Sequence, residues 1–191
     1  MRPSRPVLRW RAPLLTLLGL TLLLACDGSG ILRVGLGCAI LHESGHALAY
    51  RALWGHWPEL EISPFGICLR LRGLPMPPAQ ELALAAAGPL ANLLACAAVL
   101  LFMRGAGYSY GGYWFACCNL LVGGSNLLPL PGLDGWHIAG ALHGRWRTEG
   151  RGFAPPLRCH KLQNPGDARS PGIVLIWVIW IYGAFAARRG R

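Results

Sequence analysis

The stretch from residue 36 to residue 50 reads Leu-Gly-Cys-Ala-Ile-Leu-His-Glu-Ser-Gly-His-Ala-Leu-Ala-Tyr. Its two histidines, His42 and His46, are four residues apart, so on an α-helix they lie on one face, one turn from each other. Two imidazoles in that arrangement can bind the same zinc ion. Glu43, beside the first of them, can reach a water on the metal and accept its proton. The pattern therefore predicts a metal site with a catalytic base.

This motif lies inside an apolar run, residues 31–50. Ionisable side chains at membrane depth are costly and usually functional. The alternative interpretation is a helix with satisfied core histidines, which does not account for two histidines and a glutamate in so apolar a run. Metal binding or catalysis is the stronger hypothesis.

The composition indicates the class of protein. Of 191 residues, 53% are hydrophobic and only 14% are charged, and the mean hydropathy is +0.39. So low a charged fraction does not supply the polar surface of a soluble domain. Several apolar runs have about the length that crosses a bilayer core, namely 12–26, 31–50, 81–103, 112–128 and 171–187. We therefore expect a multi-pass α-helical membrane protein with about five transmembrane helices.

Residues 57–75 have a different pattern. Apolar and polar side chains alternate on either side of Pro64-Phe65-Gly66, which indicates a β-hairpin. An open sheet edge cannot face lipid, so we expect a small β-hairpin or sheet at the cytoplasmic interface. Its edge is suited to adding a strand from an unwound substrate.

The formal net charge of +10 comes mainly from arginines that flank the apolar runs. That distribution is typical of cytoplasmic flanks and of contact with anionic lipid, and no nucleic-acid recognition motif accompanies it. We therefore expect the lipid bilayer, and no nucleic acid, as a partner. The arginines at 2–11 predict a cytoplasmic amino terminus, which returns 51–80 and 129–170 to the same side of a bacterial inner or plasma membrane.

Two alternatives concern the ends of the chain. The first run ends in Leu23-Leu24-Ala25-Cys26, which resembles a lipoprotein signal peptide. We favour an uncleaved first helix, because further spans follow at once. A fifth span would leave the arginines at 188–191 outside, against the usual distribution of basic residues.

A catalytic zinc site normally has three protein ligands and an open position for water. Asp134 follows the fourth apolar run, where Pro129 and Pro131 break the helix, and broken helices at membrane depth are tolerated where they line a cavity. This end of the run is predicted on the same side as His46, so we expect Asp134 to be the third ligand. The main rival is His137, interpreted as an interfacial or supporting residue. More distant rivals are His56, His143 and His160.

Three ordered motifs carry a resemblance to a known family. They are His42-Glu43-x-x-His46, Gly88-Pro89-x-x-Asn92, and Asn126-x-x-Pro129-x-Pro131-x-x-Asp134-Gly135. Together they resemble the site-2 protease family of intramembrane metalloproteases, and most of all its small branch typified by the stage IV sporulation protein FB. The match spans residues 31–140. The regulatory nucleotide-binding domain of that branch and the PDZ domain of larger relatives have no counterpart in this sequence.

The resemblance implies a set of site residues. Those matching the family's zinc ligands are His42, His46 and Asp134. The residue matching the catalytic base is Glu43. The resemblance also implies that Asn92 and Asn126 border the active-site cleft, where they hold a substrate strand or the oxyanion. Hydrogen bonding between helices is the alternative for both.

We therefore expect one membrane-embedded domain over residues 1–191, with a catalytic core at 31–140, a polar loop at 141–170 and a last span at 171–187. Its expected activity is zinc-dependent hydrolysis of a peptide bond in or near a transmembrane segment. The family implies a membrane-associated substrate such as a transcription-factor precursor or an anti-sigma factor, with a regulatory membrane partner or oligomer. The alternatives are a catalytically silent membrane scaffold of the same fold and, more weakly, a metal transporter.

Overall fold

The structure is a computed structural model that describes residues 7–10, 13–63, 66–70 and 77–143. It contains three strands and five helices in this part of the chain: β1 (Val7–Trp10), α1 (Pro13–Ala25), α2 (Ile31–Trp54), β2 (Glu59–Ser63), β3 (Gly66–Arg70), α3 (Pro78–Ala106), α4 (Tyr110–Asn126) and α5 (Asp134–His143). The predicted α-helical fold class is confirmed for these residues. The last predicted span, 171–187, lies outside them.

The lengths of the helices bear on the predicted spans. By length and composition, α3 alone among the described helices can cross a bilayer. α2 has 24 residues, about 36 Å at 1.5 Å per residue, but it carries the ionisable motif. α1 has 13 residues and α4 has 17, fewer than the roughly 20 of a typical span. The number of spans therefore stays a prediction.

The outer surface of α3 is apolar as well as exposed. Leu94 is 62% exposed and Phe102 is 71% exposed, whereas the core helix of a soluble protein would bury such side chains. Apolar exposure along a 29-residue helix indicates a membrane protein.

The sheet has the order β1-β2-β3. β2 pairs antiparallel with β3, with Glu59 opposite Arg70 and Ser63 opposite Gly66, and residues 64 and 65 between them lie outside the described part. The sequence did not predict β1, which pairs parallel with β2 and places Val7 opposite Glu59. Its four residues are too few to show an alternating pattern. Because β1 and β3 flank β2, a substrate strand could add to the sheet only beside β1 or beside β3.

Glycines allow the helices to approach closely. A Cβ at Gly45 of α2 would lie 2.6 Å from the Ala87 carbonyl oxygen of α3. A Cβ at Gly123 of α4 would lie 3.2 Å from the Pro89 carbonyl oxygen of α3. Small residues at helix crossings are typical of membrane bundles, where close backbone packing takes the place of a hydrophobic driving force. α3 is therefore in close contact with both α2 and α4.

The turn between α1 and α2 is organised by Asp27, which is buried. Its Oδ2 accepts a hydrogen bond from the backbone N–H of Arg33 at 3.1 Å, and its Oδ1 accepts one from the Ser29 hydroxyl at 3.0 Å. Ser29 Oγ in turn accepts from the Ile31 N–H at 3.3 Å. These bonds satisfy donors of the first turn of α2, which have no partner within the helix.

We expect Asp27→Ala to lower the free energy of unfolding by about 1 kcal/mol, as the loss of a capping side chain does. Burial favours a higher pKa for Asp27, but hydrogen bonds from the Arg33 backbone, Ser29 and the Gly30 backbone outweigh it and lower the pKa below the ordinary value. A lowered pKa in the folded state stabilises the protein above the unfolded pKa. The stabilisation should therefore disappear as the pH falls below about 4. Thermal unfolding in detergent at several pH values measures both effects.

Asp27→Asn is the matched control, since it keeps an acceptor oxygen without the charge. It should unfold closer to the parent than Asp27→Ala and depend less on pH. Equal stability of all three proteins at neutral pH would contradict the capping role.

Candidate metal centre

α2 carries the two histidines of the motif one turn apart. Both are buried, His42 with 2% and His46 with 6% of its surface exposed. The two rings meet edge to face, with centroids 4.8 Å apart and an interplanar angle of 82°. This arrangement brings their Nε2 atoms to 3.2 Å from each other.

The orientation of His46 is set by α3. Its Nδ1 lies 2.8 Å from the carbonyl oxygen of Leu84. Because a carbonyl can only accept, Nδ1 carries the hydrogen, and in the neutral ring Nε2 is then a bare lone pair. That lone pair points to the side where His42 and Asp134 lie, which is the orientation a metal ligand needs.

Asp134 is brought to the histidines by the turn between α4 and α5. Gly132 has φ +93°, a conformation that side-chain-bearing residues rarely adopt, and the N–H of Leu133 bonds to the carbonyl of Leu130 at 3.1 Å. Asp134 then begins α5 and is buried. Its Oδ2 lies 3.0 Å from Nε2 of His42 and 3.3 Å from Nε2 of His46.

These three atoms fit a metal ion. Within the described residues, His42, His46 and Asp134 are the one group of three or more potential metal ligands. Tetrahedral coordination at zinc–ligand distances of about 2.0–2.1 Å separates ligand atoms by about 3.3 Å, and the separations here are 3.0, 3.2 and 3.3 Å. A bare His46 lone pair facing a carboxylate oxygen is unfavourable unless a cation lies between them. The donor set therefore matches a divalent metal.

Glu43 lies beside this group but is not one of its members. Its side chain is partly buried, and its carboxylate interacts electrostatically with His46, His42 and Asp134. A carboxylate near a metal that it does not bind is free to accept a proton from water.

Gly88 of α3 leaves the space that the imidazoles occupy. A Cβ at this position would overlap Nε2 of His46 and would lie 2.8 Å from Cε1 of His42. The sequence placed Gly88 in a family motif without giving it a role. Its role is steric, since only glycine allows both rings to lie against the α3 backbone.

The two predicted cleft asparagines are both buried. Asn126, the last residue of α4, is 5% exposed and donates from Nδ2 to the Val122 carbonyl oxygen at 2.9 Å. Asn92 of α3 is 0% exposed, and neither atom of its carboxamide has a partner among the described residues.

The rival ligands lie elsewhere. His137 of α5 pairs with Glu81 of α3, its Nδ1 3.1 Å from Oε1. This largely buried pair links α5, which begins at Asp134, to α3, whose Leu84 carbonyl orients His46. His56 lies edge to face with Tyr50, with ring centroids 5.2 Å apart. The side chains of His143 and His160 lie outside the described part.

Sequence reasoning did not find two of these supporting groups, the Leu84 carbonyl and Glu81. A backbone carbonyl carries no residue-type signal. Glu81 is the one acidic residue in the first turn of an apolar helix. An isolated charge in such a setting is usually functional, so Glu81 could have been singled out from the sequence.

The arrangement of the chain is similar to that of a solved structure. No protein-family model matches the sequence, and no curated protein sequence does. The chain is similar to the site-2 protease from Methanocaldococcus jannaschii, with a TM-score of 0.57 and 21% sequence identity over 78% of this chain and 72% of that chain. At this identity the likeness establishes the fold, and it bears out the family resemblance at the level of fold alone.

Proposed function

We propose that this protein is an intramembrane zinc metalloprotease that hydrolyses a peptide bond in or near a transmembrane segment. The observation that carries the proposal is the mutual spacing of the three ligand atoms, 3.0 to 3.3 Å, with Glu43 beside them. The proposed ligands are His42, His46 and Asp134. The site-2 protease fold supports the proposal.

A zinc ion held by these three residues would act as a Lewis acid and would bring the pKa of a water molecule to about 7. Glu43 accepts a proton from the attacking water and passes it to the leaving amine, so the carboxylate is regenerated after each cycle. The Leu84 carbonyl holds His46 in the tautomer that leaves Nε2 free. Asp134 supplies the negative charge that partly balances the metal.

The proposed substrate class follows from the setting. The site is buried against the apolar helix α3, whose exposed leucines indicate contact with lipid. We propose a multi-pass membrane enzyme whose site opens toward the cytoplasm, and a membrane-associated substrate such as a transcription-factor precursor or an anti-sigma factor. Membership of the branch similar to the sporulation protein FB, and a regulatory membrane partner, are parts of the same proposal.

The deciding experiment measures metal content and cleavage together. The full chain, purified in detergent and reconstituted in vesicles, should contain about one zinc per molecule and cut single-span membrane substrates. A chelator should abolish cleavage, and added zinc should restore it. Asp134→Ala should weaken zinc binding by more than about 100-fold, since loss of a ligand exceeds the 10–100-fold effect of losing a residue that only supports one.

His137→Ala is the matched control, because His137 is close in sequence to Asp134 but pairs with Glu81. It should keep its zinc. Zinc-loaded protein that cleaves none of a broad panel of membrane substrates would favour the silent scaffold, and a chain that purifies without a transition metal and does not bind zinc would overturn the proposal.

A further inference from the structure

Three helices that meet beside the metal centre carry buried polar atoms without partners. Among the described residues these atoms are Nδ1 of His42, both carboxamide atoms of Asn92 and Oδ1 of Asn119. Asn92 and Asn119 are each 0% exposed. A buried donor or acceptor without a partner costs about 1–3 kcal/mol, so we expect these groups to be satisfied, and ordered water can bridge buried polar groups of this kind.

The packing places the three side chains on neighbouring turns of the three helices. A Cβ at Gly88 would lie 2.8 Å from Cε1 of His42, the ring atom bonded to Nδ1. Asn92 is one turn further along α3 on the same face. Its own Cβ would lie 3.1 Å from a Cβ at Gly123 of α4, and Asn119 is one turn before Gly123 on that helix.

The donors and acceptors of the three side chains can be matched in one order, from Asn119 through Asn92 to His42. Asn119 donates from Nδ2 to the Phe115 carbonyl at 2.9 Å, so its Oδ1 is left to accept. The Nδ2 of Asn92 can donate to that oxygen, and Oδ1 of Asn92 is then left to accept in turn. The remaining donor is Nδ1–H of His42, which is the form the ring has when Nε2 is bare for the metal.

We propose that Asn92 is a positioning residue that acts through His42. Its Oδ1 accepts the Nδ1–H of His42 through one ordered water, because the two atoms make no direct hydrogen bond in this structure, and so holds Nε2 toward the metal. Asn119 orients the Asn92 carboxamide from α4. The inference rests on the proposed function, because it assigns a partner to one of the proposed zinc ligands.

This role differs from the contact with substrate implied by the family resemblance. Asn92 has 0% of its surface exposed, so a substrate strand could reach it only after the helices around it had moved. The two histidines would then be oriented by two different means, both from α3: His46 by the Leu84 carbonyl, and His42 by the Asn92 side chain. The Asn92 side chain can be changed by mutation, whereas the backbone carbonyl of Leu84 cannot, so the role of Asn92 can be tested.

The test compares zinc affinities of the full chain in detergent, measured by competition with a chromophoric chelator. Asn92→Leu keeps the volume and removes the acceptor, and it should weaken zinc binding by about 10–100-fold. Asn92→Asp restores an acceptor and should return the affinity to within a few-fold of the parent. The matched control is Cys96→Ala, one turn further along the same helix and also buried, and its zinc affinity should equal that of the parent.

A spectroscopic measurement separates positioning from packing. In histidine-labelled, zinc-loaded parent, the nitrogen chemical shifts of His42 should report a protonated Nδ1, and that resonance should move in Asn92→Leu but not in Cys96→Ala. Asn119→Leu, which contacts no proposed ligand, should weaken zinc binding by a smaller factor. It replaces Asn92→Leu as the test variant if the Asn92→Leu protein does not accumulate.

The outcomes distinguish this inference from the proposed function. A parent that binds no zinc overturns the proposed function itself. A parent that binds zinc, with Asn92→Leu and Asn119→Leu binding it equally well, overturns the positioning role alone. Unchanged zinc affinity with a raised KM in Asn92→Leu would also overturn it, in favour of contact with substrate.

Discussion

Replacing Glu43 with glutamine should leave zinc bound at the level of the parent and slow peptide hydrolysis by about 10²–10⁴-fold, the usual effect of losing a general base. Glutamine has the shape of glutamate but cannot accept the proton of the attacking water. Zinc should remain bound because Glu43 supplies none of the three proposed ligand atoms. Metal analysis and single-turnover cleavage in vesicles test the two halves of this prediction separately.

Ser44→Ala is a suitable control for Glu43→Gln. Ser44 is the next residue of the same motif, and its hydroxyl donates to the Ile40 carbonyl of its own helix at 2.7 Å. It should therefore cleave at the parent rate. If Glu43→Gln carried zinc and cleaved as fast as Ser44→Ala, another group would have to be the base, and the assignment of Glu43 would be wrong.

Gly88→Ala should abolish metal binding while leaving the fold intact. The added methyl group would overlap Nε2 of His46 and would lie 2.6 Å from its Cε1. Both atoms belong to the end of a side chain that can rotate, so the helices need not separate and the melting temperature should change little. The imidazole must nevertheless leave its position, and a displacement of about 1 Å is enough to cost on the order of 10²-fold in activity. Zinc affinity and melting temperature, measured on the same sample, provide the test.

The control for Gly88→Ala lies on the same helix. A Cβ at Gly105 would meet nothing within 4 Å, so Gly105→Ala adds the same methyl group to α3 without touching the site. It should bind zinc as the parent does and be slightly more stable, since alanine in a helix is favoured over glycine by up to about 1 kcal/mol. Normal zinc binding by Gly88→Ala would show that the histidines do not bind metal in the orientation described here.

The sequence predicted those parts of the protein that depend on local patterns. The spacing of His42 and His46 defines a helical face, and the two prolines before Asp134 break the fourth apolar run where the structure ends α4. The structure brings these three residues together over a separation of 92 positions between His42 and Asp134. Their catalytic and metal-binding roles stay predictions until zinc and cleavage are measured.

The features that were not predicted depend on contacts between distant segments. β1 becomes a strand because β2 is beside it, and nothing in its four residues indicates this. The Leu84 carbonyl orients His46 only because two helices cross at that level. The pairing of His137 with Glu81 could not be inferred for the same reason, although His137 alone had been noticed as a rival ligand. A hydropathy pattern predicts that a segment is a helix and which of its faces is buried. It does not predict which residue of a neighbouring helix that face contacts.

The parallel pairing of β1 with β2 has a consequence for how the chain is made. Val7 and Glu59 are partners, and α1 and α2 come between them in the order of synthesis. Two strands can pair only in the same compartment, so β1 and β2 must lie on the same side of the bilayer in the finished protein. A chain in which only one of α1 and α2 crossed the bilayer would hold β1 and β2 on opposite sides, and the two strands could not pair. Completion of this small sheet would therefore act as a check on the topology of the newly made protein.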